Sequence, residues 1–586
     1  MTANKPLDDA IIIGIDFGTT YSGVAWAYSG EPEEIEMVTS WESELNHCSD
    51  VDKAPTQIHY GHNNRDIKWG YGISLEHEPL KWFKLLLLEP KDIPQSAADS
   101  TQLKEARRLQ GKAGKEPVEI VSCFLRKIWD HSFESIRRTI GDDVMKRSHF
   151  QVVITLPAIW PPYAQQRMKV AVRQAGILDP RPAGPTTLRF VSEPEAAALA
   201  TIKDLSKRSS IKAGDTIVVC DAGGGTVDLI SYIFQSTDPF VVKECVKGDG
   251  DLCGGVFLDE AFIRFVKKKS PKGTWYPVTK TEERKFLNDE WEHGIKPQFE
   301  NQKRIWSLTL PDTCVNPSSR GFMRRMTLDL TSQDLFSVFS PIVDKIEVLV
   351  RRQVDAIHDK YQEKPKYIIL VGGFGRSRFL FNHLQERFGR IVLQSSGNKP
   401  WTAICRGAVV QGLVRHNPFA NLGVEVEARV ARMSYGIKYT TLFIEGHHKE
   451  ADKTWSHVYQ HYRAKNQMAW FLREGEDISG KRSVLHSYVR FLEAPSFKGS
   501  EQIYCSASCA PPGRYGDSDD IHRLCTLKWD KTVHIDALPK WTNPIGVVYL
   551  RLDYVIKMDC EDGTVNFSVY CQGSKVGEEE VEVQFN

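Results

Sequence analysis

The chain has 586 residues, 41% of them hydrophobic and 26% charged. That is too long for one ordinary core and too apolar for general disorder, and it predicts two to four domains of roughly 100–200 residues each. With 76 Lys and Arg against 75 Asp and Glu the formal net charge is +1, so no global field draws the chain toward nucleic acid or an anionic membrane.

Cysteine usage and the N-terminus narrow the setting. The cysteines are dispersed and none form a CxxC pair, which argues against a structural zinc site. Cys505 and Cys509 fall in an alternating stretch, where an extended chain would hold them about 13 Å apart, too far for a disulfide. The opening MTANKPLDDA lacks a signal-peptide layout. No apolar run approaches the roughly 18 residues that span a bilayer. These features predict a soluble, reduced, cytoplasmic protein with no membrane and no nucleic-acid partner.

In chain order, IIIGIDFGTTYSGVAWAY (11–28) reads as a buried strand, an Asp, a Gly/Thr turn and a second strand. A polar, basic stretch at 95–117 is expected to be a surface insertion. HFQVVITLPAIW (149–160) is a buried strand, followed by a helix ending at Gly176. TLRFVSEPEAAALATIKDL (187–205) is a strand and then a helix, opened by Ser192 with Glu195 at capping-box spacing. TIVVCDAGGGTVDLISYIF (216–234) repeats the plan of 11–28, which suggests a duplicated α/β lobe and not a short-period solenoid. Residues 267–285 again look like a surface insertion. KYIILVGGFGRSRFLFNHLQERFG (366–389) is strand, glycine turn and helix, so an α/β domain is predicted to run to about residue 420.

From Tyr435 onward the runs are short and alternating, as in GIKYTTLFI, MAWFLR, VLHSYVRFL, VVYLRLDYVI, TVNFSVYC and VEVQF. Gly, Pro and Asp clusters separate them. This predicts a small all-β domain, a β-sandwich, over 426–586.

The chemistry concentrates in DFGTT and DAGGGTVD. A glycine-rich hairpin exposes successive backbone N–H groups and so forms a nest for phosphate oxygens. Threonine hydroxyls add donors, and Asp at a strand end offers hard oxygen to Mg²⁺. Two such hairpins face to face would clamp a triphosphate, with Asp16, Asp221 and Asp228 around the metal. The Gly-Gly turn of VGGFGR, after a buried strand, would let a flat ligand reach the backbone.

These elements in this order resemble the actin-like ATPase superfamily and, within it, the Hsp70 chaperones. DFGTTYSG is similar to the family's first phosphate loop, DAGGGTVDL to its second, and VGGFGR with RGAVVQG (406–412) to its adenosine segment. TLPAIW resembles the connecting strand with its hinge proline, Pro157, and GDGDLCGGVFLD the loop with Gly254, Gly255 and Asp259. FENQKR resembles the adenosine-contacting ExxKR helix, with Glu300, Lys303 and Arg304. The resemblance covers residues 11 to about 416.

It implies a duplicated actin-like (RNase H-like) two-lobed ATPase domain over 1–425. One lobe would be about 1–205 with 390–425, the other about 206–389. It also implies ATP or ADP with Mg²⁺ as ligands. Gly18, Thr19, Thr20, Tyr21, Gly223, Gly224, Gly225 and Thr226 would bind phosphate, with Gly372, Gly373 and Arg376 on the adenosine side. Asp16, Asp221 and Asp228 would hold hydrated metal, and Glu193 would position the attacking water. Lys84 best matches the family's catalytic lysine, with Lys81 as the other candidate. Glu193, Lys84, Asp221 and Thr226 form the expected catalytic set.

The departures are specific. Trp401 stands where the family carries an acidic residue, and VEVEARVARMSYGIKY (424–439) replaces the acidic-flanked leucine linker. No helical lid follows. This texture is similar to the lid-less branch that holds the twelve-type Hsp70 members and fungal Hsp70-like proteins. The expected function is a slow, chaperone-like ATPase with a protein client or co-chaperone. The alternatives are a nucleotide-binding scaffold with negligible hydrolysis and, with less support, a sugar or acetate kinase of the same superfamily. The histidines at 447, 448, 457 and 461 are read as surface residues, and KKKSPKG (267–273) as a solvated loop.

Overall fold

The first strand, β1 (Ala10–Phe17), is apolar along its whole length and buried at every residue, the pattern of a strand covered on both faces. It turns back through Gly18–Thr20 into β2 (Tyr21–Tyr28), antiparallel, with Asp16 opposite Gly23. A short strand, β3 (Lys53–Pro55), pairs with the far side of β2. On its other edge β1 runs parallel to β4 (His149–Leu156), which is parallel to β5 (Thr187–Ser192).

The second sheet repeats this plan. An antiparallel hairpin of β6 (Thr216–Ala222) and β7 (Val227–Thr237) is extended by parallel β8 (Tyr367–Val371) and β9 (Val392–Gln394). Each sheet is thus built around a hairpin followed by two parallel strands, with further strands added beyond the hairpin, and the two glycine turns occupy equivalent corners. Both sheets mix antiparallel and parallel pairs.

This computed structural model describes residues 9–43, 50–61, 66–74, 76–93, 98–157, 160–205, 211–237, 240–314, 326–417, 424–431, 433–479, 483–493, 499–529, 538–561, 564–571 and 574–579. The chain divides into two compact units, one of Met1–Val242 with Gly248–Glu425 and the other of Lys243–Lys247 with Val426–Asn586.

In the first unit helices cover the sheets. α1 (Thr101–Ala113) corrects the expectation of a surface insertion at 95–117. Its Leu103, Ala106 and Leu109 enter the core beside Phe83 and Phe124. Ser100 caps it by accepting from the Leu103 N–H at 3.2 Å, and Gly114 ends it with φ +62°. α2 (Glu193–Leu205) begins where the capping-box spacing put it, with the Glu195 N–H donating to Ser192 Oγ at 3.4 Å.

α3 (Gly255–Lys269) absorbs the first half of the basic run at 267–273, which is a helix end there and not a loop. Lys267 to Lys269 form its last turn, where cations suit the helix dipole, and Lys267 pairs with Glu283 at 2.5 Å. α4 (Lys399–His416) lies on β1 so closely that a Cβ at Gly14 would sit 2.6 Å from the Cys405 carbonyl and 2.9 Å from Ala408 Cβ.

The second unit, among its described residues, consists of strands and one short 3₁₀ turn, Glu450–Asp452. One sheet orders Lys453–Ser456, His461–Leu472, Ser434–Leu442, Gly499–Ser506 and His522–Trp529. The other orders Ser483–Leu492, Val548–Glu561, Thr564–Cys571 and Ser574–Glu579. Ile437, Phe471 and Ile503 of the first sheet share a core with Leu552, Ile556 and Phe567 of the second. The VEVQF segment lies outside the described residues. Cys505 and Cys509 are free thiols. Among the described residues no helix is long and apolar enough to cross a membrane.

The close seat of α4 on β1 gives a direct test. Gly14→Ala should cost about 1–3 kcal/mol of stability by overpacking, read as a lowered midpoint in thermal or urea denaturation.

Candidate functional site

The two glycine turns meet. A Cβ placed on Gly224 would run into Thr20 Oγ1, and one on Gly225 would lie 3.2 Å from Thr19 Cβ. Only glycine permits this approach, so the first hairpin's threonines rest directly on the second hairpin's backbone. The carbonyls of the second loop are turned away from an incoming anion and engaged. The N–H groups of Gly254, Gly255 and Val256 donate to the carbonyls of Gly225, Gly223 and Gly224 at 3.1, 3.1 and 2.9 Å. Gly254 and Gly255 therefore brace the loop at the start of α3, and Thr226 closes it by accepting from the Gly223 N–H at 3.0 Å.

Four carboxylates gather behind the turns. Asp16, Asp221, Asp228 and Glu193 are all buried, and Asp221 stands opposite Asp228 in the β6–β7 register. Burial, reinforced by the charges of Glu193, Asp228 and Asp16, pushes Asp221 well above the usual carboxylate range. Asp221 Oδ1 is buried with no hydrogen-bond partner among the described residues. Clustered hard oxygens with one orphaned acceptor fit a divalent cation such as Mg²⁺.

Two lysines oppose this charge. Lys84 is only 1% exposed and its Nζ donates to Glu193 Oε1 at 2.5 Å. It sits in the 3₁₀ turn Phe83–Leu87, entered through Trp82 in the left-handed region at φ +62°. That turn aims Lys84 inward while Lys81 stays exposed on the surface, so of the two candidates Lys84 alone reaches Glu193. Burial raises Glu193 above the ordinary carboxylate range, opposed by Lys84 and reinforced by Asp16.

The second lysine, Lys53, carried no signal in the sequence. Its ammonium pairs with Asp16, which also accepts from Thr155 Oγ1 at 3.3 Å. Burial works to lower the Lys53 ammonium, yet Asp16, aided by Asp221, holds it above the usual lysine range. Lys53 lies in the ordinary-looking VDKAPT, and only the pairing of β3 with β2 brings it here.

On the remaining side Gly372, at φ +85°, abuts Asp221 and the Ala222 carbonyl, and its N–H donates to the Pro400 carbonyl at 2.8 Å. Gly373 faces the Trp401 ring, 3.5 Å from a notional Cβ. Trp401 also makes an edge contact with Tyr21, with ring centroids 5.5 Å apart, and Arg376 lies 5.7 Å over its ring. Asp259 is occupied elsewhere, accepting from Trp291 Nε1 at 2.6 Å and pairing with Lys296 at 2.8 Å.

The expected ExxKR helix is not formed. Residues 299–304 are bend and coil because Asn301 sits at φ +66°, which ends helical geometry there. Glu300 pairs with Arg378 at 3.1 Å, Arg304 lies 4.1 Å over the Trp306 ring, and Lys303 is exposed. The structure thus draws Asp16, Thr19, Thr20, Glu193, Lys84 and the 221–228 loop together, but leaves Lys303 and Arg304 in surface positions. Among the described residues the histidines near 450 form no metal-binding cluster.

A duplicated sheet with two opposed glycine turns over buried carboxylates defines an actin-like ATPase domain, and the chain belongs to the Hsp70 family, which matches residues 90–455 under the description Hsp70 protein. The first hairpin precedes that span and is placed by topology. Residues 429–583 match a family described only as a domain of unknown function, DUF8568. The chain is 25% identical over 517 residues to Heat shock 70 kDa protein 12A of Mus musculus, covering 75% of this chain and 73% of that one. Heat shock 70 kDa protein 12B of Homo sapiens is 25% identical over 533 residues, covering 75% and 72%. Chaperone protein DnaK of Thermoplasma volcanium is 27% identical over 406 residues, covering 69% and 58%. The likeness to the twelve-type members places the chain in that divergent branch.

Two consequences follow for stability. Lys84→Met leaves a buried carboxylate uncompensated and should cost about 3–5 kcal/mol near neutral pH. The loss should shrink on acidification, as Glu193 takes up a proton, and in the Lys84→Met/Glu193→Gln double variant, both read by chemical denaturation. Asp221→Asn should raise the melting temperature of the ligand-free protein at neutral pH. A carboxyl raised in the folded state costs stability wherever its unfolded counterpart is ionised. The gain should therefore begin to fade as pH drops below the folded group's titration and vanish once pH falls below the ordinary carboxylate range.

Proposed function

We propose that the chain is a Hsp70-like ATPase that binds ATP or ADP between the two glycine hairpins and hydrolyses ATP slowly with Mg²⁺. The observation that carries this reading is the contact of Thr19 and Thr20 with Gly224 and Gly225 above Asp16, Asp221, Asp228 and Glu193. In this proposal Gly18, Thr19, Thr20, Tyr21, Gly224, Gly225 and Thr226 hold the phosphates through N–H and hydroxyl donors, and Gly223, whose N–H is taken by the Thr226 carbonyl at 3.0 Å, shapes the loop around them. Asp221 and Asp228, with Asp16, would hold the hydrated Mg²⁺, which when bound would offset phosphate charge. Glu193, fixed by Lys84, holds the water that attacks the γ-phosphorus. Phosphoryl transfer gains most from positioning and charge neutralisation, and these residues provide both.

Gly372, Gly373, Arg376 and Trp401 form the adenosine side of the proposed site. Glu300, Lys303 and Arg304 serve it only if the 299–304 segment reorganises on binding. The proposal assigns 1–425 to the ATPase domain, with lobes of about 1–205 plus 390–425 and about 206–389. It assigns 426–586 to a β-sandwich that senses lobe movement. A protein client or co-chaperone and cytoplasmic residence complete it.

Calorimetric titration with ATP in MgCl₂ should give saturable binding. Single-turnover hydrolysis should fall at least about ten-fold in both Asp221→Asn and Glu193→Gln, a barrier increase of about 1.4 kcal/mol or more. Equal turnover in Glu193→Gln and the parent protein would leave a nucleotide-binding scaffold. ATP consumption only with a small hydroxylated acceptor would make it a kinase.

A further inference from the structure

The pairing of Lys53 with Asp16 is a built feature. Gly23 stands opposite Asp16 on the β1–β2 hairpin and opposite Lys53 across the β2–β3 pair. A Cβ on Gly23 would lie 2.7 Å from Lys53 Cγ and 2.9 Å from Cys405 Sγ. The missing side chain is therefore the passage through which the lysine stem crosses β2 to reach the carboxylate. Lys53 is 4% exposed and Asp16 2%, so water contributes little to neutralising either group and each is the other's counter-charge. Asp16 has its second oxygen on Thr155. Of the four clustered carboxylates, Glu193 is met by Lys84 and Asp16 by Lys53, while Asp221 keeps a buried Oδ1 with no hydrogen-bond partner among the described residues.

We propose that Lys53 is a resident cation of the phosphate cleft. It neutralises Asp16 permanently, so that nucleotide affinity survives removal of divalent cation, and the cation requirement is confined to hydrolysis. This rests on the nucleotide-binding reading above. In a cleft where Asp16 carried an uncompensated charge, a triphosphate would meet one more buried negative group, and bound metal would be needed to offset it. With Lys53 in place that repulsion is already cancelled.

The test is ATP affinity by calorimetry, in MgCl₂ and in EDTA, for the full chain and two variants. The parent should bind ATP within about five-fold of the same affinity in both buffers. Lys53→Met should retain binding in MgCl₂ but lose at least about ten-fold in EDTA, the scale set by one uncompensated buried charge. The Lys53→Met/Asp16→Asn double variant removes both charges together and so guards against a folding defect. It should restore EDTA-resistant binding. The inference is overturned if EDTA abolishes ATP binding by the parent, or if Lys53→Met binds as well in EDTA as the parent does. Absence of ATP binding by the parent in either buffer overturns the nucleotide reading itself, a different result from binding that depends on metal.

Discussion

Two backbone turns that approach until a single β-carbon would not fit between them set the terms for the rest of the first unit. Thr20 against Gly224 and Thr19 against Gly225 require glycine on one side and short hydroxyl side chains on the other. Holding two hairpins at that distance needs both sheets rigid behind them. The fully buried strands Ala10–Phe17 and Thr216–Ala222 supply that rigidity, each flanked by a parallel partner. Helix Lys399–His416, packed against Gly14, fixes the first sheet from behind.

The same closeness creates an electrostatic problem. Aspartates at the ends of buried strands lie near one another and near Glu193, with too little water to screen them. The chain answers with two lysines from distant segments, each delivered by a local device. Trp82 in a left-handed conformation turns Lys84 inward, and the gap at Gly23 admits Lys53. Backbone strain at Trp82, held by burial of its ring at 3% exposure, is of the kind that persists where surrounding structure enforces it.

How much of this could be read from the sequence depended on the range of the cause. The hairpins were legible because Gly, Thr and Asp carry their geometry in adjacent residues. The strand runs of the second unit were legible through period-two alternation, as in TVNFSVYC, which coincides with Thr564–Cys571. The helix at Thr101–Ala113 was obscured because a stripe of only Leu103, Ala106 and Leu109 sits among Lys, Arg and Gln. The expected helix over 300–304 failed because motif spelling does not report that Asn301 adopts a left-handed conformation. Lys53 was invisible because its role depends on strand pairing with a partner some thirty residues away, and on a side chain that is not there.

That absent side chain ties two positions together over evolutionary time. The amine-bearing arm of residue 53 fills the volume a larger residue 23 would claim, so neither site can drift alone. A descendant that acquired alanine at 23 would first have to trim or discard the arm at 53, and its inner aspartate would then stand without a companion. Covariation of these two columns across relatives is the historical trace such a lock would leave.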